Sequence, residues 1–282
     1  MASRPTRIAA RVWRASETQV KNEKGMHLEP TYAAPEPVLG KNAVRTPEDF
    51  RNMPEEYQKL ATHLMLVHTE GELTGADDYT QLFYNLAPNA YEKLVCCERA
   101  GEEVQHYQLS AAVLSDLNVD TSAMLAQHFQ QRPYYANELV RGVKNWMERG
   151  IFSFLGEAVV LEHLLEFQDC SYEPFSEIFV RQIIKDEHVH VAHGFRIIRD
   201  ACSTDEGRQE AQHALDRLWP HILALFGRDE SKRTALYVKW GLRKTTNGEL
   251  RQHFVRKILP RLAALKLVVP EMAASSVSAE PA

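Results

Sequence analysis

The sequence predicts an all-α fold, a four-helix bundle with additional C-terminal helices. Three observations carry this reading. No segment shows the period-two alternation of a half-buried strand. Four long stretches keep apolar residues at helical spacing. Two of those stretches carry the same Glu-x-x-His step, Glu103 to His106 and Glu187 to His190, each placing a carboxylate and an imidazole on one helix face.

Residues 1–50 hold Pro30, Pro35, Pro37 and Pro47 without sustained periodicity and read as an extended, disordered arm, packed on the body or on a partner. Within the arm, Arg4, Arg7, Arg11 and Arg14 form a basic leader. An organelle transit peptide is the alternative reading. Residues 51–200 form the bundle. Its first helix opens at Met53-Pro54, with proline near the first turn, carries Leu60, Leu64 and Val67, and ends near Gly75-Ala-Asp-Asp78. The second runs from Pro88-Asn89 to about Leu117, with Leu94, Cys97, Leu109 and Val113 on or near the face of Glu103 and His106. Asp120-Thr121-Ser122 can cap a short helix, and Gln131 to Tyr135 is a break. The third helix spans roughly Asn137 to Phe167, Ser171 to Pro174 form a turn, and the fourth runs from about Phe175 to Asp200. Residues 201–272 are a helical extension. It comprises Thr204 to Phe226, with Pro220 expected to kink or split it, then Asp229 to Leu242 with Asp229 as N-cap, then Gly248 to Leu267. Residues 273–282 are mostly small and read as a disordered tail.

Composition narrows the function classes. Hydrophobic residues are 44% and charged residues 25% of the 282, ordinary for a soluble globular protein. No apolar run reaches transmembrane length. The net charge of -5 argues against nucleic acid as the main partner. Cys96, Cys97, Cys170 and Cys202 show neither CxxC spacing nor disulfide-scaffold density, so reduced thiols in the cytoplasm are expected.

A lone Glu-x-x-His is weak evidence, and Glu210 to His213 shows it arising on what reads as a solvated face. Order along the chain gives the pattern its weight. Glu72 is followed by Glu103 with His106, then Glu157 is followed by Glu187 with His190. Each half thus supplies one lone carboxylate and one Glu-x-x-His pair from inside long helices, where an uncompensated charge is costly. Four-helix bundles hold two iron or manganese ions with such a set. The hard oxygen and nitrogen donors suit those metals. The spacing leaves Glu70 competing with Glu72, and Glu162 and Glu166 competing with Glu157. Glu102 and Asp186, each one residue before a ligand Glu, can accept a proton from the histidine of the facing helix or lie exposed. His68 and His63 are polar groups behind the first carboxylate or satisfied core histidines, and His188 and His193 are packing or surface residues.

The sequence also resembles the catalytic (A) subunit family of ring-1,2-phenylacetyl-CoA epoxidase, multicomponent monooxygenases with a ferritin-like di-iron bundle. The resemblance covers roughly Asp49 to Met272. It runs through Met53 to Lys59, His68 to Gly75, Glu103 to His106, Ser171 to Pro174 and Lys185 to His190, with Gly194 shortly after. It continues beyond the ligand motifs in Leu218 to Gly227 and Asn247 to Val255. It implies that Glu72, not Glu70, is the first ligand. In the family the third-helix carboxylate is an aspartate, where Glu157 stands here. The proline-rich arm is unlike the family.

The resemblance further implies a chemistry. Reduced di-iron activates dioxygen, with manganese the other metal the donors suit. One oxygen atom goes to the ring of an aromatic coenzyme A thioester as an epoxide, and the other leaves as water. Electrons come from NADPH through a separate flavin and iron–sulfur reductase, because the chain has no nucleotide fingerprint and no iron–sulfur cysteine set. A related ferritin-like structural subunit is the implied partner in a hetero-oligomer, with a homodimer the alternative. Coenzyme A phosphates need cations, for which Lys239, Arg243, Lys244, Arg251 and Arg256 are candidates. The rival classes are a di-iron hydroxylase of another biosynthetic substrate, a ferritin- or rubrerythrin-like iron oxidase, and a metal-free scaffold.

Overall fold

The computed structural model describes residues 34–128, 131–132 and 142–270, and among these no strand forms. Residues 1–33, 129–130, 133–141 and 271–282 lie outside the described residues. With them lie the arginine-rich leader, most of the Gln131 to Tyr135 break, the start of the expected third helix and the C-terminal tail.

The described part of the arm docks on the body. Val38 N–H donates to Lys239 O, Asn42 N–H to Cys170 O and Val44 N–H to Ser171 O. A parallel bridge joins Val44, itself buried, to Tyr172. A short helix α1, Pro47–Asn52, follows. Thr46 and Asp49 close a capping box at its start, satisfying two otherwise orphaned N–H groups.

Four long helical rods make the bundle. The first, α2, begins as Glu55–Asp77, passes through a π-helical turn at Asp78–Phe83 and ends as Tyr84–Leu86. It therefore runs on past Asp78, where the sequence predicted its end. Helix α3, Ala90–Asp116, starts where the Asn89 side chain accepts from Glu92 N–H. Short α4, Ser122–Ala126, follows the Asp120 turn. The third rod, α5, runs as Trp146–Ile151, a π turn Phe152–Gly156 and Glu157–Phe167. Its N-cap is Asn145, whose side chain accepts from Glu148 N–H, so the helix starts later than the expected Asn137. The fourth, α6, runs as Glu173–Ile178, a π turn Phe179–Ile183 and Ile184–Ala201.

The extension is α7, Asp205–Ala224, α8, Lys232–Lys239, and α9, Asn247–Ala264. Two details differ from expectation here. Pro220 does not split α7, which is continuous through it. Ser231, not Asp229, caps α8, and Asp229 instead pairs with Arg251.

Helix α2 packs along α3, α6 along α5, and α7 and α9 cover α5. One apolar cluster, with Trp219, Phe226 and Phe254 beside Phe154 and Leu161, fastens the extension to the bundle. A second gathers Tyr57, Phe167, Tyr172, Phe175 and Phe179 around the docked arm. On α3 the buried face holds Val95, Cys96, Ala100, Glu103, His106 and Ser110, whereas Leu94 and Cys97 are exposed. Leu94 is nine residues from Glu103, and at about 100° per residue that places it on the opposite face. All four cysteines are free thiols.

Candidate metal centre

Helix α2 supplies Glu72, α3 Glu103 and His106, α5 Glu157, and α6 Glu187 and His190, and all six are buried. One ligand atom each from Glu72, Glu103, His106 and Glu187 lies within 4.8 Å of the others. Gly75 leaves room for the Glu103 side chain beside α2, because a Cβ there would sit 3.1 Å from Glu103 Cδ.

Glu103 and Glu187 divide their oxygens between the two histidines. Oε2 of Glu103 lies 3.7 Å from His106 Nδ1 and Oε1 lies 3.4 Å from His190 Nδ1. Oε1 of Glu187 lies 3.7 Å from His106 Nδ1 and Oε2 lies 3.6 Å from His190 Nδ1. Each histidine is thus faced by one oxygen of each shared carboxylate. The far nitrogens are held from the opposite helix. Nε2 of His106 is 3.2 Å from Asp186 Oδ2, and Nε2 of His190 is 2.7 Å from Glu102 Oε2. These contacts place the proton of each neutral ring on Nε2 and leave Nδ1 as the donor atom facing inward. Arg99 pairs with Glu102 and so anchors one of the two carboxylates.

The lone carboxylates differ. Glu72 lies 3.1 Å from His106 Nδ1 through Oε2 and 3.2 Å from His68 Nδ1 through Oε1. Glu157 Oε1 accepts from Tyr79 Oη–H at 2.7 Å and from Ser153 Oγ–H at 3.0 Å. Its Oε2 is buried without a hydrogen-bond partner among the described residues, as is His190 Nδ1. Both hydroxyls come from π-helical turns, Tyr79 from Asp78–Phe83 and Ser153 from Phe152–Gly156. Such turns recur at functional sites, because the extra residue re-aims the side chains beyond it.

Electrostatics calls for positive charge at this point. Burial raises the Glu72 carboxyl to about 8 despite its contact with His106. Burial likewise lifts Glu187 well above the carboxylate range, with His190 opposing and Glu103, Glu72 and Glu157 adding to the rise. Burial would lower His106, but Glu103 and Glu72 outweigh it and push the ring up to about 12. His190 is raised in the same way by Glu187, Glu102 and Glu103, against its burial. Protons on the two imidazoles supply the positive charge in the chain alone. Cations in that space would satisfy the carboxylates and the two partnerless atoms together, where leaving such atoms buried costs about 1–3 kcal/mol each. The donors are hard oxygens and imidazole nitrogens, a set that fits iron or manganese.

The remaining sequence candidates are placed as follows. Glu70 is buried and, like Glu157 and His190, lies outside the four-residue cluster. Glu166 is committed to Arg243 and Glu162 to Lys257. His68 sits among Phe167, Phe175 and Phe179, at ring distances of 6.1, 5.7 and 4.9 Å, and burial lowers it to about 3, so it faces Glu72 as a neutral ring. His63 meets Arg233 at 2.9 Å. His188 is exposed and His193 is buried against Glu92. Glu210 and His213 are both exposed.

The five basic candidates meet different partners. Arg243 is buried, donating to Glu166 Oε2 at 2.9 Å and Asn247 Oδ1 at 2.8 Å, so it is not available at a pocket mouth. Lys239 pairs with Glu56, Lys244 with Asp169, and Arg251 with Asp229 and the Gly227 carbonyl. Only Arg256 of the five is exposed without a pairing described above. Two cations not singled out in the sequence, Lys257 and Arg261, instead border an apolar cleft of about 460 Å³ between α5, α6 and α9, floored by Leu161, Val191, Phe195 and Phe254. Tyr79 and Ser153 were missed as well. Their spacing holds a signal, for Tyr79 stands seven residues after Glu72 and Ser153 four before Glu157, each on the ligand's face.

Comparison with known proteins agrees with this architecture. The chain is 26% identical over 230 residues to a subunit of the 1,2-phenylacetyl-CoA epoxidase of Escherichia coli (strain K12), covering 80% of this chain and 72% of the relative. Among solved structures, an R2-like ligand-binding oxidase with an aerobically reconstituted Mn/Fe cofactor superposes with a TM-score of 0.56 at 16% identity, covering 78% of this chain and 84% of that one. An R2-like ligand-binding oxidase with an aerobically reconstituted metal cofactor after photoconversion gives 0.55 at 14% identity, covering 78% and 85%. These likenesses establish the all-α, ferritin-like bundle. The sequence profile of the phenylacetic acid catabolic proteins matches residues 43–280, well over half of the chain, and the chain belongs to that family.

Proposed function

We propose that this protein is a dinuclear-metal monooxygenase, the catalytic chain of a multicomponent enzyme that epoxidises the ring of phenylacetyl-CoA or a related aromatic acyl-CoA. The observation that carries the reading is the division of Glu103 and Glu187, each with one oxygen toward His106 and the other toward His190. That division gives two adjacent positions sharing two carboxylates. Glu72 and His106 complete one position, and Glu157 and His190 the other. Family membership and the buried Glu/His cluster both support a dinuclear oxygenase. A pair of irons bound there supplies the reductive activation of dioxygen.

The chain's own residues do the rest. Asp186 and Glu102 hold the Nε2 protons of His106 and His190, fixing both rings and raising their basicity. Four carboxylates offset the charge of two divalent ions. Phe167, Phe175 and Phe179 around His68, and Phe83 beside Tyr79, keep water from the carboxylates. Arg261, at the rim of the apolar cleft beside the Lys257–Glu162 pair, is the cation we assign to the thioester's phosphates. Electrons from NADPH reach the site through a separate reductase, and a ferritin-like structural subunit completes the assembly.

Turnover tests this reading. The iron-loaded protein, with reductase, NADPH and dioxygen, is offered a panel of aromatic acyl-CoA thioesters alongside the free acids. Ring oxygenation of a thioester supports it. Oxygenation of the free acids alone overturns the substrate class, and dioxygen-driven iron oxidation with no organic product favours an iron oxidase.

A further inference from the structure

We propose that Tyr79 and Ser153 are positioning residues that restrain the Glu157 carboxylate to one free oxygen, so that the metal it shares with His190 keeps a coordination position open to a small ligand. The inference rests on the dinuclear reading above and deepens it.

It begins from an asymmetry. Glu72 and Glu157 occupy equivalent places in the two halves, yet their surroundings differ. Both contacts of Glu72 described here are to imidazole nitrogens, His106 and His68. Glu157 has Oε1 fixed by two hydroxyls, Tyr79 at 2.7 Å and Ser153 at 3.0 Å, with Oε2 left partnerless. A carboxylate that binds a metal through both oxygens uses up two coordination positions. Here Oε1 must shed two hydrogen bonds to do so, and hydrogen bonds to a charged acceptor are the strong ones.

Both donors are themselves immobilised. The Tyr79 ring packs edge-on against His190 at 5.9 Å and against Phe83 at 5.3 Å. Over the Tyr79 ring lies the guanidinium of fully buried Arg149, 5.5 Å from the centroid, with Nη2 3.5 Å from the phenol oxygen. Arginine only donates, so the phenol proton is directed to Glu157. Ser153 stands where Gly194 of α6 passes close to α5. A Cβ on Gly194 would fall 2.6 Å from Ser153 C and 2.7 Å from Ser153 Cβ, so Ser153 is pinned by backbone contact. Burial also keeps the phenol protonated, raising it well above the ordinary tyrosine value, with the charge of Glu157 adding to the rise.

The experiment compares the wild type with Tyr79→Phe, Ser153→Ala and the double variant, each loaded with iron and oxidised to the ferric state. Metal per chain is measured directly, and azide is titrated by its visible charge-transfer band. All four proteins are expected to hold the same metal content. Azide affinity should fall about tenfold in the double variant and by an intermediate factor in each single one, as Glu157 closes on the metal with both oxygens. Tyr79→Phe keeps the ring and its packing, so that variant tests the idea even if the double variant does not fold. An azide affinity within threefold of wild type at full metal content overturns the proposal. So does a loss of metal from the variants, because the hydroxyls would then hold the metal and not the open position. A metal-loaded wild type that binds no azide also overturns it. A wild type that takes up no metal refutes the dinuclear reading itself, a separate result.

Discussion

Gly194→Ala tests how the fold sets the site. Gly194 lies one turn after His190 on α6, against the π turn of α5. A Cβ there would meet Phe154 N at 2.3 Å, Ser153 C at 2.6 Å and Ser153 Cβ at 2.7 Å. Ordinary van der Waals contact begins near 3.4 Å, so α6 and α5 must part by about an ångström. Two of the three atoms are backbone and cannot rotate aside. Overpacking costs about 1–3 kcal/mol, and rigid contacts place this case at the upper end. At about 2–4 °C per kcal/mol for a chain of this size, thermal unfolding followed by circular dichroism should fall by roughly 6–12 °C. The displacement also carries Ser153 and Glu157 from His190, so iron per chain should fall. Gly71→Ala is the control. It lies on α2 with nothing within 4 Å of its added Cβ, and should gain about 0.5–1 kcal/mol from lost chain entropy alone. Unfolding of Gly194→Ala within a degree of wild type, with iron content unchanged, would refute the close-approach argument.

Other perturbations separate the parts of the account. Glu102→Ala and Asp186→Ala, which free the Nε2 atoms of His190 and His106, should each weaken metal binding by about 10–100-fold in calorimetric titrations. Arg243→Ala leaves Glu166 buried without its cation and should cost about 3–5 kcal/mol in denaturant unfolding, whereas Lys244→Ala, at an exposed pair, should cost under about 1 kcal/mol. His193 gives a pH dependence. Burial and the guanidiniums of Arg149, Arg196 and Arg99 lower it to about 3 in spite of Glu92, and Nε2–H donates to Glu92 from a neutral ring. The unfolded ring has a pKa near 6.5, so its stabilisation is whole above that pH and is lost as pH falls through 6.5 toward 3. The slope is at most about 1.4 kcal/mol per pH unit, reduced by solvent screening. His193→Gln should flatten the stability profile of the metal-free protein between pH 6.5 and 4.

Much of the architecture was legible because charge and periodicity coincide in this chain. Glu72, Glu103, Glu157 and Glu187 stand inside long helical stretches, and helical spacing puts Glu103 on the face of His106 and Glu187 on that of His190. The resemblance to the family was carried by the ligand motifs and also by stretches outside the site, such as Leu218 to Gly227. What the sequence hid is tertiary. A π turn adds one residue and shifts every later side chain, and neither Asp78–Phe83 nor Phe152–Gly156 carries a distinctive composition. Pro220 was expected to kink or split α7, yet the helix is continuous through it, with Trp219 and Ile222 packed in the core. Arg243 and Lys239 lie four residues apart in sequence, yet one is buried with Glu166 and the other meets Glu56 on α2. Position along a chain does not say which cation meets solvent. The Tyr79–Glu157 contact likewise joins residues 78 positions apart, which helical spacing does not relate.

Metal stoichiometry tests the central claim most directly. The purified chain is loaded anaerobically with ferrous iron, desalted and analysed for iron per chain, beside Glu103→Ala. The six-residue site predicts about two irons in the wild type and their loss in the variant, since Glu103 faces both histidines. A wild type that retains neither iron nor manganese, or a Glu103→Ala variant that retains both ions, would contradict it.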